Sequence, residues 1–543
     1  MKGTDWFGLE RSVGRLMSHC GWKDVRIVGA SGDGGADVLA VREIAGKRHI
    51  YVVQVKAVTG DNYVGPVALE EVISAMSAYR GDVGIVATNG DFTRSARKRR
   101  EELRAAGFLI ELWNGLSLKK LIEQWPLESQ EKRKLREYQS DILSKCLEQY
   151  GAGGQKGYFI VATGLGKTVI AAELVARLRE SGLSSALVLC HSQELAAQLE
   201  QNFWTQLGSD TATRLFYDGE PPKPFDGVNF GLYQTFVSYL SGIEQHDFDI
   251  LIVDEAHHAL AHGFRRCIKH LRPKYLLGMT ATPWRGDGAS IGEVFGSSVG
   301  AVSLVDGMKM GYLAEVDYRI YTDTVDWETV GRLTKGQLSI KDLNTQLFIP
   351  QRDEAVIERI VDECSEVAAP HILIFCASVE HCRRFASLLC GRSKIECKQL
   401  SGLDRIGRNR TLMEFASGRI QAVTAVDVLN EGIDVPAVNI LVFLRGTHSR
   451  RIFVQQLGRG LRIAPGKDKV IVLDFVTDIR RIAAALDMDR EARQAGSKYQ
   501  SVYFPQGIVR FRNPEFLPFV TRWLEDVAGL DDRDESHILS FPV

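Results

Sequence analysis

Residues 158–168 read Tyr158-Phe159-Ile160-Val161-Ala162-Thr163-Gly164-Leu165-Gly166-Lys167-Thr168, and the helix-forming run Val169-Ile170-Ala171-Ala172-Glu173-Leu174 follows. An apolar strand-like segment gives way to a glycine-bearing turn and then a helix, the order in which a phosphate-binding loop is built. Gly164 and Gly166 let backbone N–H groups close around phosphate oxygens. Lys167 supplies a cation for the β- and γ-phosphates, and the Thr168 hydroxyl reaches Mg2+. Val161 stands where the strict G-x-x-x-x-G-K spacing has its first glycine.

Downstream, Ile250-Leu251-Ile252-Val253 ends in Asp254-Glu255-Ala256-His257-His258. Two carboxylates therefore stand at the C-terminal end of an expected strand, where open α/β sheets bind ligands. Asp254 would hold Mg2+, and Glu255 would orient or deprotonate an attacking water. His258 and His262 lie four apart and could share a helical face as a metal pair, although no third ligand stands at suitable spacing.

Working outward, short β-branched runs such as Ala186-Leu187-Val188-Leu189 recur between helical stretches from about 135 to 305, the pattern of a parallel sheet. A second series runs from His371-Ile372-Leu373-Ile374-Phe375 to Val470-Ile471-Val472-Leu473. The charged stretch LESQEKRKLR, 127–136, marks a linker after a first α/β block. The expected division is 1–125, a first lobe over 126–310, a connector over 311–365, a second lobe over 366–478, and a C-terminal extension over 479–543.

The length of 543 residues suits several domains. Lys plus Arg total 67 and Asp plus Glu 68, a net charge of −1, so any site for a polyanion must be local. No run approaches the 18 or so apolar residues of a membrane span, and the N-terminus lacks an apolar signal core, so a cytoplasmic protein without a membrane partner is expected. Nine cysteines without a C-x-x-C pair read as reduced core thiols.

Over about 135–475 these motifs resemble superfamily 2 helicases. Leu135-Arg136-Glu137-Tyr138-Gln139 looks like the adenine-reading segment, with Gln139 its glutamine. His191-Ser192-Gln193-Glu194-Leu195 and Tyr233-Gln234-Thr235 look like strand-contacting motifs, and Thr280-Ala281-Thr282-Pro283 like the motif linking ATP state to nucleic-acid state. Glu431-Gly432-Ile433-Asp434-Val435-Pro436 and Gln455-Gln456-Leu457-Gly458-Arg459-Gly460-Leu461-Arg462 match motifs of the second lobe. The resemblance implies two RecA-like parallel lobes that bind ATP, contacted by Gln455. Arg459 and Arg462, three apart, would share a helical face and approach the γ-phosphate. Gln456 and the DEAH tetrad lean towards DNA translocases of the restriction and repair type rather than RNA-directed relatives.

In the first block, Gly32-Asp33-Gly34-Gly35-Ala36-Asp37 precedes Val38-Leu39-Ala40-Val41, and Tyr51-Val52-Val53-Gln54-Val55-Lys56 follows. Strand alternation puts Gln54 and Lys56 on one face, and a hairpin would add Asp37. A carboxylate for a divalent metal and a lysine for the attacking water or scissile phosphate suit phosphodiester hydrolysis. Over about 110 residues the block resembles the Mrr-like branch of the PD-(D/E)XK restriction endonucleases, through Phe7, Glu10, Gly21-Trp22, Asp37, Gln54-Val55-Lys56 and Val86-Ala87-Thr88-Asn89-Gly90-Asp91-Phe92-Thr93. It implies a restriction-endonuclease-like α/β domain with Asp37, Gln54 and Lys56 catalytic and Glu10 completing a shell for Mg2+ or Mn2+. The basic run Arg94 to Arg104 is either a phosphate grip or a solvated face paired to Glu101 and Glu102. The expectation is an ATP-driven DNA helicase or translocase with a metal-dependent nuclease. It would act on duplex or single-stranded DNA in restriction or anti-phage defence, with a companion defence subunit. The alternatives are a repair helicase whose first domain only binds DNA, and an RNA-remodelling ATPase.

Overall fold

The computed structural model describes residues 6–28, 35–60, 62–130, 132–216, 225–259, 262–281, 291–321, 338–339, 353–376, 378–400, 405–426, 437–444, 460–463, 467, 469–475 and 538–539. It is an α/β protein with a mixed N-terminal sheet and two parallel sheets of the RecA-like kind. Among the described residues no helix is long and apolar enough to cross a membrane.

The first sheet has the order β1-β2-β3-β5-β7, formed by β1 Lys23–Ile27, β2 Val38–Ile44, β3 Lys47–Lys56, β5 Val83–Thr88 and β7 Leu109–Trp113. A short ladder joins β4 Tyr63–Val64 to β6 Asp91–Phe92. The strands β2 and β3 form an antiparallel hairpin with Val38 opposite Val53, while β3, β5 and β7 run parallel. Ala45 and Gly46 turn the hairpin with φ of 49° and 76°, the left-handed geometry of a two-residue turn. Helices α1 Trp6–His19 and α2 Val67–Tyr79 pack on the sheet, and α3 Arg94–Ala105 and α4 Gly115–Glu123 complete the block. All six residues of β5 are buried, as expected for a strand covered on both faces.

The second block opens with α5 Glu137–Gly151 and carries an all-parallel seven-stranded sheet of order β10-β11-β9-β12-β13-β8-β14. Its strands are β8 Lys156–Val161, β9 Ser185–Cys190, β10 Thr213–Phe216, β11 Gly227–Leu232, β12 Ile250–Asp254, β13 Tyr275–Thr280 and β14 Ser298–Val302. The intervening helices include α6 Lys167–Glu180, α7 Gln193–Trp204, α8 Tyr233–Tyr239, α9 His262–Leu271, α10 Gly292–Phe295 and α11 Leu304–Lys309. The third sheet has the order β15-β20-β19-β16-β18-β17, from β15 Glu315–Tyr321, β16 Ile372–Phe375, β17 Cys397–Gln399, β18 Ala422–Ala425, β19 Ile440–Phe443 and β20 Lys469–Phe475. Helices α12 Asp353–Cys364, α13 Val379–Arg392 and α14 Arg405–Ala416 accompany it.

The segment expected as a connector, 311–365, differs from that reading. Residues 315–321 pair along their whole length with β20 as an edge strand of the third sheet, and α12 packs into the same core. Val316 is buried there, while Asp317 and Arg319 between the apolar residues are ion-paired and half-buried, so their polarity made the run read as a connector. Of the C-terminal extension only Ile538–Leu539 is described, paired with Leu338–Ser339.

The first block touches both lobes. Arg11 on α1 donates to both carboxylate oxygens of Glu200 at 2.7 and 3.2 Å and to the Thr213 carbonyl at 2.8 Å. Arg15 donates to the carbonyls of Thr211 and Gly208 at 2.6 and 2.7 Å. His19 is wholly buried beside these arginines, edge-on to Trp125. Burial first, and the Arg15 charge second, lower its pKa to about 4. The unfolded chain, with an ordinary imidazole, takes up that proton first as pH falls, so His19 withdraws stability between about pH 6.5 and 4. A His19→Leu variant is expected to show a shallower decline of Tm over that range than the natural protein, which differential scanning calorimetry measures.

Candidate active sites

The phosphate-binding segment leaves β8 and enters α6 through Thr163–Gly166, with Gly164 at φ 88° and Gly166 at 82°. Only glycine adopts this conformation freely, and it is what folds the backbone into a cradle ahead of the α6 N-terminus. Thr168 follows Lys167 in the first turn of that helix. Lys167 lies 3.2 Å from Asp254 Oδ1 and hydrogen-bonds Glu255 Oε1. The parallel order β12-β13-β8 is what brings these groups, 88 residues apart, to one strand-end cleft.

Burial alone would lower the Lys167 pKa, but the two carboxylates outweigh it and hold the ammonium above the ordinary lysine range. Burial also opposes charge on Glu255, yet Lys167 and His257 keep its pKa down at about 2. Asp254, buried and beside a second carboxylate, is pushed upward. Glu255 has φ 49°, uncommon for a residue with a side chain, and this left-handed step after β12 lets both carboxylates face Lys167. His257 Nδ1 lies 3.0 Å from the Thr280 hydroxyl, so the end of β12 is tied to the end of β13.

Gln139, expected to read adenine, spends its amide on protein groups here. Its Nε2 donates to the Leu165 carbonyl at 2.8 Å and its Oε1 accepts from Arg136 N at 2.9 Å. The Tyr138 hydroxyl donates to the same Leu165 carbonyl. His191 and Gln234 meet at the ends of β9 and β11, where Gln234 Nε2 donates to the His191 carbonyl at 3.4 Å. Arg462, expected to share a helical face with Arg459, is described without it. It lies in an isolated antiparallel bridge with Leu313, past Gly460, while Ala314 N donates to the Leu461 carbonyl. Gln455, Gln456, Arg459, Thr282-Pro283 and residues 431–436 lie outside the described residues, as do the side chains of Glu194, His258 and His262.

In the first block, the hairpin brings Asp37 against β3. Asp37 Oδ2 accepts from Gln54 Nε2 at 2.8 Å and from Val55 N, and Asp37 and Gln54 are both buried. Glu10 on α1 is buried too. Lys56, at the solvent end of the same strand, pairs with Glu71 Oε2 at 2.6 Å. Gln54 Oε1 is buried and accepts no hydrogen bond among the described residues. An uncommitted amide oxygen beside a carboxylate is a hard oxygen donor set, so these residues fit a Mg2+ or Mn2+ ion. Glu71 was not singled out from the sequence, because a glutamate inside a helix beside Glu70 reads as a solvated face. The available signal was the pairing of α2 over β3, which the strand-helix-strand connection of a parallel pair requires.

Four of the basic residues of helix α3 stand near acids. Arg97 meets Asp91, Arg99 meets Glu70 and Glu102, Arg100 meets Glu101, and Lys98 lies 4.0 Å from Glu102. The arrangement favours the solvated, charge-balanced face over a dedicated phosphate grip.

Comparisons with known proteins follow the same division. Residues 1–122 match the restriction endonuclease family Mrr_cat, 132–285 the family of the type III restriction enzyme res subunit, and 354–464 the helicase conserved C-terminal domain. The chain is 25% identical over 406 residues to the type I restriction enzyme EcoAI endonuclease subunit of Escherichia coli, covering 67% of this chain and 49% of that one. It is 24% identical over 357 residues to IRC3 of Saccharomyces cerevisiae, named for ATP-dependent helicase activity, covering 63% and 51%. The chain thus spans about half the length of these curated relatives. The structure of the ATP-dependent type ISP restriction-modification enzyme LlaBIII bound to DNA aligns with a TM-score of 0.52 at 16% identity, over 92% of this chain and 40% of that one, which shows a shared fold.

A Cβ on Gly166 would stand 2.7 Å from Gln139 Nε2 in a backbone region that disfavours side chains. Strain of about 1–2 kcal/mol added to loss of the Gln139–Leu165 bond is expected to weaken nucleotide binding by Gly166→Ala about tenfold or more. Titration with a fluorescent ATP analogue measures it.

Proposed function

Because this chain joins an Mrr-type restriction endonuclease domain to the two domains of a superfamily 2 helicase, we propose that it is an ATP-driven DNA translocase carrying its own metal-dependent DNA endonuclease. Restriction or anti-phage defence in the cytoplasm, alongside a companion subunit, is its proposed setting. The observation that carries the reading is that Asp37, Gln54 and Lys56 stand together on one hairpin while Lys167, Asp254 and Glu255 stand together in a second cleft. A domain kept only to bind DNA has no need of a buried carboxylate hydrogen-bonded to an amide beside a lysine.

In the motor, the loop 163–166 and Lys167 would take the β- and γ-phosphates, with Lys167 exchanging its carboxylate partners for phosphate oxygens. Thr168 and Asp254 would hold Mg2+, which supplies charge neutralisation at the phosphates. Glu255, ionised at neutral pH, would accept the proton of the attacking water or orient it. The His257–Thr280 contact would pass a change at the γ-phosphate to the neighbouring strand end. Arg459 and Arg462 are proposed to meet the γ-phosphate from the second lobe, and Gln139 and Gln455 to contact the nucleotide.

In the nuclease, Asp37, the Gln54 carbonyl oxygen and Glu10 would hold Mg2+ or Mn2+. The ion, when bound, polarises the scissile phosphate and lowers the pKa of water. Lys56 would orient the water or neutralise charge developing on the phosphate, and Asp37 would be kept in place by Gln54 Nε2 and Val55 N.

The decisive experiment incubates the protein with plasmid, linear duplex and single-stranded DNA, with and without ATP and Mg2+ or Mn2+. Asp37→Ala and Lys56→Ala are each expected to cut at less than about a hundredth of the natural rate while DNA-stimulated ATP hydrolysis persists. Lys167→Ala should abolish ATP hydrolysis, and Glu255→Gln should stop turnover with nucleotide still bound. A protein that cuts no DNA under any condition would leave the first domain as a DNA-binding module. Better stimulation by RNA than by DNA would reassign the motor.

A further inference from the structure

Helix α2 has catalytic geometry near one end and the second lobe at the other. Near its N-terminus Glu71 holds the Lys56 ammonium at 2.6 Å, and its neighbour Glu70 pairs with Arg99. Nine residues on, Arg80 caps the helix at φ 52° and meets Glu414 of α14 at 3.0 Å. Arg410 donates to the Ala78 carbonyl. Arg419 donates to the Arg80 carbonyl and to both oxygens of Asp82 at 2.8 Å, and Arg48 donates to the Ala416 carbonyl at 2.6 Å. Met413 of α14 is wholly buried in the nuclease-domain core, with Ile406 packed beside it. These partners lie more than 300 residues apart in sequence.

The first domain is therefore fastened to lobe 1 through Arg11 and Arg15 and to lobe 2 through α2. With nucleotide held between the lobes, the three bodies form a closed mechanical loop. Two lobes that change their angle on binding ATP cannot keep both seams, because packed interfaces switch rather than stretch. The lobe-1 seam is buried, with Arg15 6% and Glu200 1% exposed, and the chain is covalently continuous across it, where Gln130 N donates to the His19 carbonyl. Much of the polar part of the lobe-2 seam is open to water, with the Arg80 side chain 62% and that of Arg419 34% exposed, and the buried Glu414 carboxylate keeps Lys398 of its own lobe as a second partner when Arg80 leaves, so these ion pairs are the weaker ones. We propose that ATP-driven closure of the lobes releases α14 from α2. In this arrangement α2 acts as the link that holds Lys56 with Glu71 at rest and frees it for cleavage when the motor engages. The proposal rests on the motor-plus-nuclease reading above.

Its test has a readout independent of cleavage. Hydrogen–deuterium exchange of the full chain is compared without ligand and with duplex DNA plus a non-hydrolysable ATP analogue. Amides in 76–82 and 410–419 are expected to gain about fivefold or more in exchange, the low end of measured couplings between sites, while 8–19 and 206–213 stay unchanged. No gain at the lobe-2 seam, or a gain at the lobe-1 seam instead, overturns the link. In a second arm, Arg48→Ala combined with Arg419→Ala removes seam donors outside both active sites. It should raise ATP-independent cleavage of duplex DNA about fivefold or more, and an unchanged dependence on ATP overturns the proposed restraint. A natural protein that cuts no DNA defeats the nuclease reading instead, and exchange alone then decides whether the seam opens.

Discussion

Three charges packed at one strand end, Lys167 against Asp254 and Glu255, set the terms for the motor half of the molecule. Taking them from water is expensive, and their mutual attraction returns that energy only when the geometry is good. Good geometry here means two strand ends flanking β13 at a fixed register, Val253 opposite Gly278 and Gly278 opposite Tyr158, so that loop 163–166 and the 254–255 pair open into the same space. Strands β12 and β13 beneath are buried along their whole length, as strands held to that register inside a parallel sheet are. The strained backbone of Glu255 fits the same account, since local strain persists where surrounding structure over-determines it.

The nuclease half solves a similar problem with less buried charge. Asp37 is anchored by a neighbouring amide and a backbone N–H rather than by a lysine, so one of its oxygens is committed while Gln54 Oε1 is left without a donor. The lysine, two residues beyond Gln54 and about a third exposed, takes its partner from a helix instead of the same sheet. A buried acid at the start of one strand and a more exposed cation at the end of its neighbour form an arrangement in which the acid's position is set by the hairpin and the cation's by its pair with Glu71 on α2.

Much of this was legible from local pattern. A strand, a glycine turn and a helix in sequence forecast the loop at 163–166, and the alternation in 51–56 placed Gln54 and Lys56 on one face, because both depend on neighbours a few residues away. What local pattern missed depends on distant partners. Glu71 has no distinguishing neighbour in sequence, and its position against Lys56 exists only once α2 is laid over β3. The strand 315–321 was concealed because charged residues stand at alternate positions of it, and its partner β20 lies some 150 residues on, as the Lys469–Asp317 pair shows. The hydrogen bond that Gln139 adds to Leu165, beside the nucleotide contact expected of it, becomes visible only when α5 and the loop share a core. On the basic helix α3 the pairs with Glu70 and Asp91 favour the solvated face, and these acids lie outside the helix, where no spacing rule within it could supply them.

The same reasoning explains how a restriction endonuclease domain and a helicase can share a chain while their candidate sites stay separate. Each candidate site sits at the end of its own sheet, and the sheets are stitched within themselves by backbone hydrogen bonds that leave no freedom for one site to deform the other directly. Communication must then run through side chains that cross between blocks, and nearly all of those described here are arginines donating to carbonyls or carboxylates: Arg11, Arg15, Arg48, Arg410 and Arg419. A guanidinium presents five donors in a fixed plane, so each crossing specifies orientation as well as proximity. Apolar contact alone, as Met413 makes in the nuclease-domain core, would hold the blocks together but let them slide. The combination of one apolar key and several directional arginines yields a contact that is either made or broken, which is the property a two-position machine requires of its joints.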